Sequence, residues 1–133
     1  MGSTSSKSVK GQANQILNWF EIPVHNILRA IEFYDTILGI EMQKIEQNGY
    51  AMASFPEGTG IGGALVQGQG CVPSEVGTLV YLNAGDDLFK VISKVPTAGG
   101  RIVLGKTLIS KEAGYFALFI DTEGNKVALH SQN

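Results

Sequence analysis

Few side chains in this 133-residue sequence are equipped for chemistry. There is one cysteine, Cys71, and there are two histidines, His25 and His130. A lone cysteine cannot close an internal disulfide, and with two imidazoles it leaves too few ligands for a structural zinc site. Cys71 stands in a linker close to Pro73 with no base beside it in sequence, so nothing there activates its thiol as a nucleophile. His25, in a turn ahead of a helix, reads as a surface residue. Gly58, Gly60 and Gly63 satisfy a GxGxxG spacing, but a short strand follows them, with no helix N-terminus to receive a phosphate. Asp121, Glu123 and Asn125 alternate as calcium ligands do, yet Gly124 is misplaced and the distal bidentate Glu is missing; the segment reads as a hairpin turn.

Composition narrows the class further. Ten Lys and Arg against twelve Asp and Glu give a net charge of -2. Without a run of basic residues this argues against nucleic acid as a partner. No apolar stretch approaches the roughly 20 residues needed to cross a bilayer. Met1 to Gly11 is Ser, Lys and Gly without the apolar stretch of a signal peptide, so residues 1–14 read as a disordered tail or a cloning remnant. The expected location is cytoplasmic. With 44% hydrophobic residues and 17 glycines, residues 15–133 suit one packed domain with many turns.

The elements that must position any site are legible as periods. Trp19 to Val24 reads as a strand; Ile27, Ala30, Ile31, Tyr34 and Leu38 then recur at helical spacing, behind an Asn26 cap and before a stop at Gly39. Ile40 to Glu46 and Tyr50 to Phe55 are expected strands joined by Gln47, Asn48 and Gly49, since Asn-Gly supplies the positive φ values of a tight hairpin. Ile61 to Gln67 makes a fourth strand. The order then restarts with strand Thr78 to Asn83, helix Asp87 to Ala98, a stop at Gly99 and Gly100, and strands near Arg101 to Leu104, Tyr115 to Ile120 and Lys126 to His130. Lys106 to Gly114 is left as a polar loop, either an ordinary connection or a lid that brings a lysine to an anionic ligand.

The recurrence is a duplication. A shift of about 60 superposes Asn26 on Asp86, Leu28 on Leu88, Ile31 on Val91 and Gly39 on Gly99, as a repeated unit should. In the later strands a shift of about 64 superposes Ala53 on Ala117, Phe55 on Phe119, Ala64 on Ala128 and Leu65 on Leu129. The expected class is α+β: two tandem βαβββ modules, at about 15–68 and 76–131.

The segments WFEIPVHNILRAIEFYDTILG, GTLVYL with DDLFKVISKVPTAGG, and ALFIDTEGNKVALH are similar to the vicinal oxygen chelate superfamily, the glyoxalase, bleomycin-resistance and extradiol dioxygenase group. The resemblance covers nearly the whole chain. It implies a cup-shaped sheet with helices outside, and often a homodimer. It also implies four metal-ligand points, which fall here on Trp19, Ala64, Leu79 and Ala128. Indole donates only, and Ala and Leu have no lone pair, so no metal and no cofactor is expected there. That departure counts against the lyase and dioxygenase activities, which need the metal.

Alternation along the first strand puts Trp19, Glu21 and Pro23 on the cup face and Phe20, Ile22 and Val24 on the helix side. One step along each of the four strands gives a second tier, Glu21, Val66, Tyr81 and His130, with a carboxylate, a phenol and an imidazole. If the cup buries Glu21, its pKa would rise and it could act as a base, with His130 as acid or orienting group. Glu21 reads equally as a half-exposed strand carboxylate or a partner of Lys106, and His130 as a solvated residue near the C-terminus. Trp19 reads as a pocket wall, with Ala64, Val66, Leu79, Tyr81, Lys106 and Ala128 as further ligand contacts.

Three functions fit. The first is metal-independent binding of a small, partly apolar molecule. The second is a lyase or isomerase, related to lactoylglutathione lyase, that uses Glu21 and His130. The third is a divalent-metal enzyme with a displaced site.

Overall fold

The computed structural model describes residues 16–58 and 60–133. The expected tail at 1–14 lies outside them. Among the described residues the first module runs β1 (Trp19–Pro23), α1 (Ile27–Leu38), β2 (Ile45–Gln47), β3 (Tyr50–Ser54) and β4 (Gly62–Gln67). The second runs β5 (Tyr81–Asn83), α2 (Leu88–Ile92), α3 (Val95–Ala98), β6 (Arg101–Ser110), β7 (Gly114–Ile120) and β8 (Lys126–Ser131). Each module forms a four-stranded mixed sheet, ordered β1-β4-β3-β2 and β5-β8-β7-β6. The first strand of each pairs in parallel with the last, and the others pair antiparallel. This is the expected α+β fold of two βαβββ modules.

The strand register carries the duplication. Ile22 faces Leu65 as Leu82 faces Leu129, and Ala53 faces Leu65 as Ala117 faces Leu129. Leu65, Leu129, Ala53 and Ala117 are fully buried and form the floor on which the helices pack. Helix α1 starts where Asn26 Oδ1 accepts from Arg29 N at 3.1 Å and stops where Gly39 turns left-handed at φ 67°. Asn48 and Gly49 both take positive φ, 55° and 84°, closing the β2–β3 hairpin between Gln47 and Tyr50.

Four elements depart from the sequence reading. Pairing in β2 begins only at Ile45, because residues 40–44 are held by the end of α1: Met42 is buried and its N–H donates to Asp35 Oδ1 at 3.0 Å. The helix expected over Asp87 to Ala98 breaks in two, since Pro96 has no N–H to give the Ile92 carbonyl and its ring crowds it. Its cap is Asp87, whose side chain accepts from Phe89 N, one residue beyond the Asp86 that the shift of about 60 superposes on the Asn26 cap. Strand β5 begins at Tyr81, leaving Leu79 outside the ladder. Strand β6 continues to Ser110, so Lys106 stands in a strand and the connection shrinks to the turn at 111–113.

One core serves both sheets. Phe33 on α1 lies 5.7 Å from Phe119 on β7, and Tyr34 lies 5.8 Å from Phe55, between ring centroids. The buried Tyr34 hydroxyl donates to Asp121 Oδ2 at 2.7 Å. Burial, with the Asp121 charge beside it, pushes the Tyr34 phenol well above its ordinary range.

Candidate functional site

The face of each sheet turned away from the helices carries the candidate residues other than Lys106. On β1 that face bears Trp19, Glu21 and Pro23, opposite Gly62, Ala64 and Val66 of β4. Trp19 is 46% exposed, and its indole leans on Gly62, where an added Cβ would lie 3.1 Å from the ring. Trp19 Nε1 donates to Glu21 Oε2 at 3.2 Å, so the wall of the site holds its carboxylate in place. Glu21 itself is exposed, not buried within the cup.

Glu21 stands where two clefts meet. One, of about 360 Å³, has Val66 in its floor, only 5% exposed, with Tyr50, Met52, Gln69 and Cys71 around it. The other, of about 230 Å³, lies between the modules and is lined by Pro23, Val72, Thr78, Val80 and Lys126 as well as Glu21. Tyr81 belongs elsewhere. It is 53% exposed, with its ring 6.4 Å from Phe116, and shares a larger opening with Phe20, Phe55, Ile61 and Gly62.

The remaining candidates are dispersed. Ala64 and Ala128 are fully buried, and Leu79 is half-buried beyond the end of β5. Lys106 Nζ sits 4.5 Å over the Tyr115 ring, a cation–π contact on its own sheet. Since Tyr115 alternates with Phe116, the residue opposite His130, that contact lies on the helix side of the sheet. His130 Nε2 donates to the Ala113 carbonyl at 2.6 Å, tying the imidazole to the β6–β7 turn. Neither cleft bordered by Glu21 is lined by His130.

Register also redraws the tiers. Trp19 faces Gly62 rather than Ala64, and Val66 faces Pro23 rather than Glu21. The level rows are Glu21 with Ala64 and Tyr81 with Ala128, then Pro23 with Val66 and Asn83 with His130. Counting equal steps along parallel strands does not reproduce their stagger, which hydrogen bonding sets. Neither row, a carboxylate with a methyl group or a phenol with a methyl group, offers the three or four lone-pair donors that a divalent metal needs. Among the described residues, no three His, Cys, Asp or Glu side chains are grouped to hold one.

Two features escaped the sequence reading. Lys126 shares the face of Ala128 and His130 by alternation, a signal that was there to be read. The DTEGN turn is the second. Glu123, with a side chain 0% exposed, accepts from His25 N, Asn26 N, Thr122 Oγ1 and both Nε and Nη2 of Arg29, at 2.8–2.9 Å. Burial alone would raise its pKa, but the Arg29, Thr122 and Asn26 hydrogen bonds and the Arg29 charge outweigh that and hold it below its ordinary value. Asn125 adds a bond from Nδ2 to Pro23 O at 2.7 Å. The turn therefore clamps module two onto β1 and the start of α1, and holds Glu21 and Lys126 beside one cleft.

This arrangement of paired βαβββ modules recurs in solved structures. A variant of glyoxalase I from Zea mays is 21% identical and superposes with a TM-score of 0.66 over 87% of this chain. A glyoxalase/bleomycin resistance protein from Albidiferax ferrireducens T118 is 15% identical, with a TM-score of 0.60 over 86% of this chain and 97% of its own. The chain adopts the glyoxalase/bleomycin resistance/dioxygenase fold. A glyoxylase/bleomycin resistance protein/dioxygenase domain from Frankia sp. EAN1pec shares that fold at 11% identity, with a TM-score of 0.63 over 88% of this chain and 95% of its own. Residues 17–56 match the bleomycin resistance protein-like N-terminal family. The chain spans less than half of the maize glyoxalase I chains, 46% and 43% of two variants. No curated protein matches it significantly.

Proposed function

We propose that this glyoxalase/bleomycin resistance fold binds a small, partly apolar molecule without a metal, in the clefts that meet at Glu21. The observation that carries the reading is the Trp19–Glu21 hydrogen bond, which sets one oriented carboxylate beside the aliphatic walls of the two clefts. Such a site can anchor a ligand by one polar group and cover the rest with apolar surface. Glu21 and Val66, with Trp19 beside them, are its proposed contacts, while the fully buried Ala64 presents no surface to a ligand. Tyr81, Leu79 and Ala128, on the second module, border neither cleft and are not among them.

The likeness to maize glyoxalase I supports a second reading, a lyase or isomerase with Glu21 and His130 as acid and base. The geometry favours it less, since His130 is held by Ala113 and borders neither cleft. Replacing Glu21 by Gln separates the two: a binder loses at most affinity, an enzyme loses turnover. A native mass spectrum of protein recovered from its own host, with elemental analysis, tests the primary reading. A retained organic molecule without stoichiometric metal supports it, and stoichiometric Ni, Zn, Mn or Fe refutes it.

A homodimer in the cytoplasm completes the proposal. Its support is the exposed aromatic surface of Trp19, Tyr50 and Tyr81, which a second copy would cover. No helix among the described residues is long and apolar enough to cross a membrane. Sedimentation equilibrium measures the oligomeric state, and a monomer at micromolar concentration counts against this part.

A further inference from the structure

Glu21 and Lys126 bring opposite charges to the same small cleft, between the modules. Among the described residues no ion pair joins them to each other or to any other group. The polar neighbours are already engaged: Asn125 binds Pro23, Asp121 and Ser74, and the Ser74 hydroxyl accepts from Val76 N. That leaves one Glu21 carboxylate oxygen, the Lys126 ammonium and the Thr78 hydroxyl without side-chain hydrogen bonds, around walls made of Val72, Val76 and Val80. A volume of about 230 Å³ lies below the roughly 300 Å³ at which pockets for drug-sized ligands begin, so the occupant is small.

From this pairing we infer that the ligand is a small aliphatic zwitterion of the α-amino-acid class, with its ammonium on Glu21, its carboxylate on Lys126 and its side chain against the valines. Charge-assisted bonds at both ends discriminate against molecules lacking either group, because the orphaned protein charge is then desolvated without compensation. The inference rests on the binding function proposed above and specifies its ligand.

Trp19 is the only tryptophan in the chain and touches Glu21, so its emission reports on the site. The full chain is titrated by Trp19 fluorescence and by calorimetry with L-norvaline, n-butylamine, butyrate and the neutral butyramide. Norvaline is expected to bind at least ten-fold more tightly than any of the other three. Glu21→Gln should bring norvaline down to the affinity of butyrate, and Lys126→Met to that of butylamine. Butyramide binding as tightly as norvaline, or norvaline binding unchanged in both variants, overturns the zwitterion while leaving metal-free binding of a partly apolar molecule intact. If norvaline fails and the protein from its host also carries no organic molecule, both fall.

Discussion

At the residue scale one buried carboxylate ties the second module to the first. Glu123 gathers five donors on a buried side chain, and a Gln in its place turns one oxygen into an NH2 donor and leaves the Arg29 charge unpaired, so that the acceptor of Arg29 Nε and Thr122 Oγ1 is lost. Glu123→Gln is expected to cost about 3 kcal/mol in denaturant unfolding at neutral pH. The pH dependence follows from the direction of the shift. A carboxylate whose folded pKa lies below its unfolded 4.5 contributes fully above that value and loses the contribution as pH falls through the folded pKa. Wild-type stability should therefore drop more steeply than that of the Gln variant as pH falls below the unfolded value of 4.5. Tyr34 acts at the other end: its raised pKa favours the fold below pH 10, and that contribution fades as pH rises through the folded pKa. Tyr34→Phe, which removes the bond to Asp121, should cost about 1 to 2 kcal/mol and flatten the alkaline limb of the profile.

At the element scale the turns are set by backbone geometry, and two glycines test this. Gly49 closes the β2–β3 hairpin at φ 84° with open space around its α-carbon, so Gly49→Ala meets only the left-handed backbone penalty, about 1 kcal/mol. Gly114 opens β7 at the same φ, but a Cβ there would lie 2.4 Å from the Ser131 carbonyl oxygen. Gly114→Ala must strain the dihedral and displace β8, and is expected to cost about 3 kcal/mol. Thermal unfolding of the two variants side by side gives the order. The same comparison shows what was readable locally. Asn48-Gly49 and the Asn26 cap announce themselves in four residues, because turn and cap chemistry is local. The extension of β6 through Lys106 to Ser110 does not, since a polar stretch becomes strand only when β7 offers it a ladder.

For the whole molecule, helix α1 joins what the duplication separates. Its Phe33 and Tyr34 pack against Phe119 of the second sheet and Phe55 of the first module, so neither sheet buries its floor alone. Unfolding is accordingly expected as a single transition, coincident by Trp19 fluorescence in module one and by far-ultraviolet dichroism over both. Two separated transitions would show modules that fold independently. Phe33→Ala should lower the midpoint by both probes together, by about 3 to 5 kcal/mol in stability.

The sequence by itself determined the duplication, the element order and the absence of metal-ligating side chains at the positions the resemblance indicated. All of these follow from residue type and spacing, which the chain carries in one dimension. Only the tertiary structure decided that Glu21 lies level with Ala64 rather than Val66, that His130 is held by Ala113, and that Lys126 comes to the Glu21 cleft. Those relations depend on strand stagger and on the Glu123 clamp, contacts between residues up to 98 positions apart that no local period encodes.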